Sequence, residues 1–493
     1  MRERKRTVST CLDRLPAGSE DFLRELTRKT GAESRGIPEG CRPVELYKDI
    51  ARMAWPSLVE LLLTSLVSMV DMMMVGTMAD GDRAISAVSL ASQPKFIFIS
   101  LLIALNVGVT ASVARARGAQ DSRQANAALC HGLLLSFLVS LVSSLLGYGF
   151  APALIRFMAT GSLDELTVTM SVEYLRIQMQ GFLLMGMTTT FTAALRGVGN
   201  TAVPMAYNVI ANLVNICGNY LLINGHFGFP ALGVRGASLA TVIGQGVAFI
   251  IACAVTAGGR SYFTISLQSC FRDFKSTLPT LRNIITVGIP SLGEQFVTRV
   301  GMILFARQIA SLGQPFYTTH QILSNIQVLS FMLGQAMAVS STTLVGQSLG
   351  KKRPDMAVNY SKRCTYLGTA LALLLSGFLM VWGEKLAALY SRTPAVLAAA
   401  EPVLLILALM LPIQTPQFIL TGSLRGAGDT TSVALITFVG ILLLRPLLVQ
   451  LAISAFHSSL AGAWIATLAE LIVRMVLVLT IYTKGRWKTL HLQ

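Results

Sequence analysis

Two stretches of this chain are nearly the same: Leu195-Arg-Gly-Val-Gly-Asn-Thr201 and Leu424-Arg-Gly-Ala-Gly-Asp-Thr430. Three further pairs of similar segments occur in matching order: 55–60 with 289–294, 118–121 with 350–355, and 236–241 with 462–467. The numbering difference between the copies shrinks steadily along the chain instead of scattering, which indicates one duplicated domain. In an apolar chain, such a duplication is typical of transporters whose site lies between the two halves.

The composition indicates that both copies lie in a membrane. Hydrophobic residues make up 53% of the 493 residues, charged residues only 13%, and the mean hydropathy is +0.62. The apolar runs reach the roughly 20 residues that a helix needs to cross a bilayer. Twelve runs are predicted, at about 47–76, 86–114, 125–150, 167–195, 200–224, 232–257, 283–312, 317–348, 361–382, 397–423, 430–453 and 459–483. We therefore predict an all-α integral membrane protein with twelve transmembrane helices.

Each copy of the repeat holds six of the predicted spans. An even number of crossings returns the chain to the side where it started, so the two copies have the same orientation in the membrane. The predicted parts are a polar cytosolic tail (1–45), a first six-helix lobe (46–257), a cytosolic inter-lobe loop (258–282), a second six-helix lobe (283–484) and a short cytosolic tail (485–493).

The formal charge of +16 is spread unevenly across the predicted membrane. With the N-terminus inside, seventeen Lys and Arg residues fall on the cytosolic side and six on the outer side, without counting the N-terminal tail. The outer six are Arg83, Lys95, Arg156, Arg235, Lys385 and Arg392. This asymmetry places both termini in the cytosol of a multi-pass plasma-membrane protein, with the bacterial inner membrane as the default location. The positive charge then reflects orientation and attraction to anionic lipid, and we expect no nucleic-acid partner.

Five segments carry a more specific signal. They are Val70-Asp-Met-Met-Met-Val-Gly76, Ala84-Ile-Ser-Ala-Val-Ser-Leu-Ala-Ser-Gln93, Val113-Ala-Arg-Ala-Arg-Gly-Ala-Gln-Asp121, the first Leu-Arg-Gly segment quoted above, and Asn215-Ile-Cys-Gly-Asn-Tyr-Leu-Leu-Ile223. Together they closely resemble the multidrug and toxic compound extrusion (MATE) family, over nearly all of residues 45–483. The resemblance implies two six-helix lobes arranged in a V that opens alternately to each side. It also implies export of bulky organic cations, drugs or toxic compounds in exchange for Na⁺ or H⁺.

Acidic residues deep in the spans are the candidates for ion coupling, because a charge at the bilayer centre costs roughly 2.5 kcal/mol or more. They are Glu60, Asp71, Glu173, Glu294 and Glu470. The resemblance places Asp71 where the family has a first-helix acid grouped with two side chains of helix five and a hydroxyl of helix six. In this chain those are Asn215, Asn219 and Thr241.

The spacing of the two asparagines supports this group, because residues four apart share one face of a helix. Carboxylate, amide and hydroxyl oxygens suit Na⁺, so Asp71, Asn215 and Asn219 form a possible metal site. The same carboxyl group is equally able to take a proton, and the coupling ion stays open. Hydrogen bonds that only hold helices together are the alternative role for the group.

The second lobe lacks the acids that the resemblance would place on its helices seven and ten. Glu294 is the candidate carboxylate there, and with Glu60, Gln93 and Gln414 it is predicted to line a substrate cavity. An ion pair of Glu294 with Arg299 or Arg307 is the alternative, and the same caution applies to Glu60. An isolated Glu294 would attract a cationic substrate.

The sequence contains no phosphate-binding loop, no histidine spacing typical of a metal site and no nucleophile motif. We expect a secondary antiporter that is not an enzyme, has no ATP site and no cofactor beyond the coupling ion, and is a monomer in membrane lipid. Export of one specific metabolite is an alternative. Two others are a flippase for a lipid-linked precursor, which would need a cationic cavity, and a non-transporting receptor or scaffold.

The charge asymmetry predicts that the inter-lobe loop faces the cytosol. In a variant that keeps Cys270 as its single cysteine, an impermeant thiol reagent added outside intact cells should leave the protein unlabelled. The same reagent should label it once the cells are opened. Labelling of Cys270 in intact cells would reverse the predicted topology.

Overall fold

The computed structural model describes residues 42–78, 80–159, 164–258, 262–263, 278–390, 393–454 and 460–490. The first lobe consists of α1 (Pro43–Gly76), α2 (Gly81–Gly118), α3 (Ser122–Gly149), a short α4 (Ala151–Met158), α5 (Glu165–Gly197), α6 (Ala202–Ile223) and α7 (Val234–Ala257). The second consists of α8 (Leu278–Ala310), α9 (Gln314–Gly350), α10 (Pro354–Tyr390), α11 (Pro394–Gly426), α12 (Thr430–Thr437), a π-helical segment (Phe438–Leu444), α13 (Arg445–Ser454) and α14 (Leu460–Lys484). Short 3₁₀ turns occur at His226–Gly228 and Arg486–Thr489. Most of the predicted tail at 1–45 and of the loop at 258–282, including Cys270, lies outside the described residues.

These elements match the twelve predicted spans. Within the described ranges, ten helical stretches are long and apolar enough to cross a membrane, and the continuous stretch Thr430–Ser454 supplies one of them. The other two spans are α5 and α8, which have 33 residues each. At 1.5 Å per residue each is about 50 Å long, so both have the length to cross. Both carry acidic and basic side chains within the span, among them Glu173 in α5 and Glu294 in α8. The fold class predicted from the sequence is confirmed.

The two lobes meet at the end of the bundle that carries both Leu-Arg-Gly motifs. There Gln347 donates to the carbonyl oxygen of Gly197 at 2.9 Å, and Tyr360 donates to Asp49 at 2.9 Å. An apolar cluster from α1, α9, α10 and α11 lies beside these bonds. Polar bonds and apolar packing together therefore close this end of the molecule.

Helices α2 and α9 approach most closely at this closed end. A Cβ atom at Gly118 would overlap the carbonyl oxygen of Gln347, and one at Gly350 would overlap that of Arg115. Between these two contacts, Gly346 packs against the methyl group of Ala114. Small residues of this kind let two membrane helices touch along their backbones.

The repeated motif forms the same ion pair in both lobes. Arg196, at the end of α5, contacts Glu60 of α1 at 2.8 Å. Arg425, at the end of α11, contacts Glu294 of α8 in the same way. Both carboxylates are buried, at 7% and 5% exposure. Each pair joins the first and fourth span of its lobe, so the matching acids at 60 and 294 are explained by the matching arginines.

The rest of the motif ends one helix and starts the next. Gly199 and Gly428 adopt left-handed φ angles of 86° and 84°, a conformation that glycine tolerates and that closes helix C-termini. The following residue then caps the next helix, because Asp429 accepts a hydrogen bond from the Ser432 amide and Asn200 accepts one from the Val203 amide. The motif is therefore a structural corner that also positions an arginine.

Replacing Glu294 with Gln should strongly destabilise the fold, because Arg425 would remain charged and buried without its partner. Breaking a buried pair in this way costs about 3–5 kcal/mol. The measurement is thermal unfolding of the purified protein in detergent at one fixed scan rate. The exchanged pair Glu294→Arg with Arg425→Glu should regain part of the loss.

The matched control is Arg156→Gln, which breaks the exposed pair with Glu165. Exposed pairs contribute at most about 1 kcal/mol, so this variant should unfold close to the wild-type temperature. Equal unfolding temperatures for Glu294→Gln and Arg156→Gln would show that the buried pair does not hold the lobe together.

Candidate ion and substrate sites

Asp71 of α1 lies in a polar cluster formed with α6 and α7. The Asn219 side-chain amide donates to its Oδ1 at 2.6 Å. The Asn215 amide, oriented to satisfy both of its neighbours, donates to the two carboxylate oxygens at 2.9 and 3.2 Å. In this orientation it also accepts from the backbone amide and hydroxyl of Thr241, each at 3.2 Å. The structure therefore brings together the four residues singled out in the sequence.

Lys95 belongs to the surroundings of this cluster, although its position in the sequence suggested only an outer-end charge. Its ammonium group donates to Gln178 at 2.6 Å and interacts electrostatically with Asp71. Asn219 and Gln178 are fully or almost fully buried. The first-lobe cluster thus contains a negative charge, a nearby positive charge and a shell of amides.

Asp71 differs from the other acids of the spans. Glu60 pairs with Arg196, Glu294 with Arg425, and Glu470 with both Arg445 and Arg474, at 2.7 and 3.0 Å. Glu173 likewise pairs with Arg235. Among the described residues, Asp71 is the one acid of these five that forms no direct ion pair. Its charge is therefore the one most open to change.

A cavity of about 550 Å³ lies inside the second lobe. Among the described residues, its walls come from the second lobe alone: from α8, α9, α11, α14 and the stretch between the end of α12 and the start of α13. Four aromatic side chains and several glutamines line it: Phe305, Phe331, Phe418, Trp464, Gln321, Gln335, Gln414 and Gln417. Such a mixed apolar and polar surface suits a bulky organic molecule.

Charged groups also reach this cavity. Glu294 and Arg425 line it as a neutral pair, while Arg445 and Arg474 line it together. Both of these arginines contact the single, fully buried carboxylate of Glu470. Among the described residues that form the cavity and its wall, three arginines therefore face two glutamates.

The structure corrects several sequence-based expectations. Glu294 is not an isolated carboxylate, and its partner is Arg425 instead of Arg299 or Arg307. Arg299 follows Glu294 by five residues, so the helix directs the two side chains to different faces. Arg307 follows by thirteen residues, which places it about 20 Å further along the helix. The guanidinium of Arg299 lies over the Phe96 ring at 4.6 Å.

Of the other three residues predicted to line a substrate cavity, Gln414 lines this one, whereas Glu60 and Gln93 do not. Glu60 is held by Arg196 and by the Asn208 amide at 2.7 Å, so it belongs to the buried pair of the first lobe and not to this cavity. Gln93 is exposed on α2 and also does not line the cavity, because all of the lining comes from the second lobe. Gln414 does line it and accepts from Ser330 at 3.4 Å. This cavity lies within one half, and the expected site between the halves stays a prediction.

Sequence reasoning missed Arg196 and Arg425 as partners of the two glutamates, and it did not pair Arg445 or Arg474 with Glu470. A signal for the first pair was present, since Glu60 and Glu294 recur in register just as Arg196 and Arg425 do. The Arg445–Glu470–Arg474 group has no counterpart in the first copy. It therefore left no repeat signal.

Comparison with known proteins agrees with this architecture. A family model described as MatE matches residues 56–221 and 290–450, one match in each copy of the repeat. The chain is 27% identical over 448 residues to the "Probable multidrug resistance protein NorM" of Thermotoga maritima, which covers 90% of this chain and 94% of that protein. It is 29% identical over 401 residues to the multidrug resistance protein MdtK of Yersinia enterocolitica, which covers 80% and 85%.

Solved structures share the fold. A MOP superfamily transporter from Pyrococcus furiosus has a TM-score of 0.81 at 21% identity, covering 90% of this chain and 96% of that one. A crystal structure of MATE in the bent conformation has the same TM-score and identity, covering 91% and 98%. Since the family model alone matches more than half of the chain and falls in both lobes, the protein is a member of the MATE family of multi-pass membrane transporters.

Proposed function

We propose that this protein is a secondary active antiporter that exports small organic molecules, including drugs or toxic compounds, in exchange for a coupling ion bound at Asp71. The observation that carries the proposal is the state of Asp71. Of the five acids deep in the spans, it is the one without a direct ion pair among the described residues, and two amides hold it at 2.6 and 2.9 Å. Relatives named as multidrug resistance proteins support the export function.

The cluster has the property that coupling requires. A coupling ion must bind the two conformations of a transporter with different affinity, or it cannot bias them. Three helices, α1, α6 and α7, meet at Asp71, so a change of its charge alters the bonds between all three. The four other spanning acids keep their arginine partners and need not take part.

We further propose that the coupling ion is H⁺. The Asn219 amide directs an N–H group at Oδ1 of Asp71, so this amide offers no oxygen to a metal ion there. The positive charge of Lys95 opposes either cation and does not discriminate between them. Na⁺ would need the Asn219 amide to turn its oxygen towards the carboxylate, whereas a proton needs only one carboxylate oxygen. Na⁺ coupling remains the second candidate, because Asn215, Asn219 and Thr241 carry suitable oxygens.

The remaining properties follow from the charge distribution and the repeat. We propose that the protein lies in the bacterial inner membrane with both termini in the cytosol, as the seventeen-to-six asymmetry favours. The closed end carrying the Leu-Arg-Gly motifs then faces the cytosol. The protein works as a monomer, because each of the two lobes is present within one chain.

Asp71→Asn should abolish efflux driven by an ion gradient, because an amide cannot gain and lose the charge. Substrate should still bind, since the cavity lies in the other lobe. The measurement is transport of a fluorescent substrate by the purified variant in liposomes, together with its binding in detergent. Asn219→Ala should reduce the gradient response without removing it.

A matched control is Glu173→Gln, which neutralises another spanning acid of the first lobe that is already paired with Arg235. This variant should retain gradient-driven transport. Wild-type efflux rates from Asp71→Asn would rule out Asp71 as the coupling group.

An imposed proton gradient should drive efflux in liposomes without Na⁺, and a Na⁺ gradient at equal pH on both sides should not. The reason is that a proton needs only one oxygen of Asp71, whereas the Asn219 amide turns its N–H group and not its oxygen towards the carboxylate. Transport rates are compared in the same liposome preparation with each gradient alone. Efflux with the Na⁺ gradient alone would favour the second candidate and assign Asn215 and Asn219 as metal ligands.

A further inference from the structure

We infer that the cavity of the second lobe binds the carboxylate of an aromatic organic acid or zwitterion, through Arg445 and Arg474. This inference rests on the proposed export function and names the class of substrate. It departs from the cationic substrate that an isolated Glu294 would favour.

The first argument is the charge of the cavity. Glu294 pairs with Arg425 and also acts electrostatically on Arg474. Glu470 pairs with both Arg445 and Arg474, so three arginines stand against two glutamates. The side chains of Arg445 and Arg474 are only 11% and 9% exposed. A buried charge without a partner is costly, so the extra positive charge favours an anionic ligand over a cationic one.

The second argument is the supply of donors. Arg445 donates from its Nε and from one terminal nitrogen to the same oxygen of Glu470, at 3.2 and 2.7 Å. Each guanidinium has five N–H donors in a planar fork that matches a carboxylate. One carboxylate cannot satisfy two such forks, and both arginines line the cavity. The remaining donors are thus available to a ligand there.

The third argument comes from the duplication, which relates this site to the Asp71 cluster. In the register that aligns the prolines of the first span in each lobe, Asp71 corresponds to Phe305. In the register of the last pair of similar segments, Thr241 corresponds to Thr467. Phe305 and Thr467 both line the cavity. The acid of the first lobe is therefore replaced by an apolar ring in the second.

The π-helical segment completes this comparison. In the register of the two Leu-Arg-Gly motifs, Asn215 corresponds to Leu444, the last residue of that segment. A π turn accommodates one residue more than an α turn, which brings Arg445 into the equivalent place. The Arg445 guanidinium indeed lies over the Phe305 ring at 5.9 Å, as the Asn215 amide lies against Asp71.

A glycine leaves room for the central carboxylate of this group. A Cβ atom at Gly440, inside the π-helical segment, would lie 2.6 Å from Oε1 of Glu470. Gly440 thus lets Glu470 approach the helix from which Arg445 projects. At the place of the first-lobe cluster, the second lobe therefore has a phenylalanine where Asp71 lies and an arginine where Asn215 lies.

The aromatic part of the ligand follows from the other walls. Phe331 and Phe418 pack at 5.3 Å between ring centres, and Phe305 contacts Trp464 at 6.3 Å. All four rings face the same 550 Å³ cavity as the arginines. A ligand with a flat aromatic ring system and one carboxylate would contact the aromatic walls with its rings and the two arginines with its carboxylate.

The test compares three dyes that share one aromatic group: dansylglycine with a carboxylate, dansylamide without charge, and N-dansylethylenediamine with an ammonium group. Each is titrated into the purified full-length protein in detergent, with dansyl fluorescence as the readout. The wild type should bind dansylglycine about tenfold or more tightly than either other dye. Equal or tighter binding of the ammonium dye would overturn the inference.

Arg474→Gln should weaken dansylglycine binding about tenfold or more and leave the ammonium dye unchanged or tighter bound. In this variant Glu470 keeps Arg445, so no buried carboxylate is left unpaired. Arg445→Gln serves as the second variant, and Arg299→Gln is the control because that arginine contacts Phe96 outside the cavity. Unchanged dansylglycine affinity in a folded Arg474→Gln or Arg445→Gln would contradict the inference. If neither variant folds, the wild-type preference among the three dyes decides.

Efflux of the dyes from liposomes separates this inference from the proposed function. Gradient-driven efflux of the ammonium dye without binding of dansylglycine would leave the antiporter intact and refute the anion site. Selective binding of dansylglycine without efflux under any gradient would support the site and refute the antiporter.

Discussion

The architecture depends on how this chain neutralises acids inside a membrane. A carboxylate in the hydrocarbon is tolerated only with a partner, and four of the five spanning acids have an arginine within the described residues. Two of these pairs, Glu60–Arg196 and Glu294–Arg425, join the first and fourth helix of each lobe. They fix the frame in which one unpaired acid, Asp71, retains a charge that can change.

The two lobes began as copies and now contain opposite polar groups. The corner motif, the buried pair and the close helix contacts are common to both. At the equivalent depth, however, one lobe has an aspartate held by amides and the other has two guanidinium groups around a glutamate. The shared features maintain the fold, while the divergent ones are the proposed places for a coupling ion and for a substrate. Separate sites allow each ligand to act on its own lobe and to affect the other through the common closed end.

The fold was largely predictable because its signals are local or repeated. Hydropathy located twelve spans, and the even count fixed the relation of the copies. The Asp71 cluster was also predictable, since motif segments and the spacing of Asn215 and Asn219 carried it. Lys95 was not recognised, because nothing in a linear pattern shows that a lysine near a helix end lies beside Asp71. The partner of Glu294 was missed because the arginines considered from the sequence, Arg299 and Arg307, are close to Glu294 in sequence but not in space. Arg425 is distant in sequence and adjacent in space.

The contact between α2 and α9 has a further consequence. Gly118 meets the carbonyl of Gln347, and Gly350 meets that of Arg115. The register that aligns the two glycines also aligns Arg115 with Gln347, so each contact is the counterpart of the other under the repeat. Ala114 and Gly346, which touch each other, are aligned in the same register. This is the pattern of an isologous interface, in which equivalent surfaces meet across a two-fold axis. The axis passes between Ala114 and Gly346, and the single chain retains the self-complementary joint of a symmetric dimer.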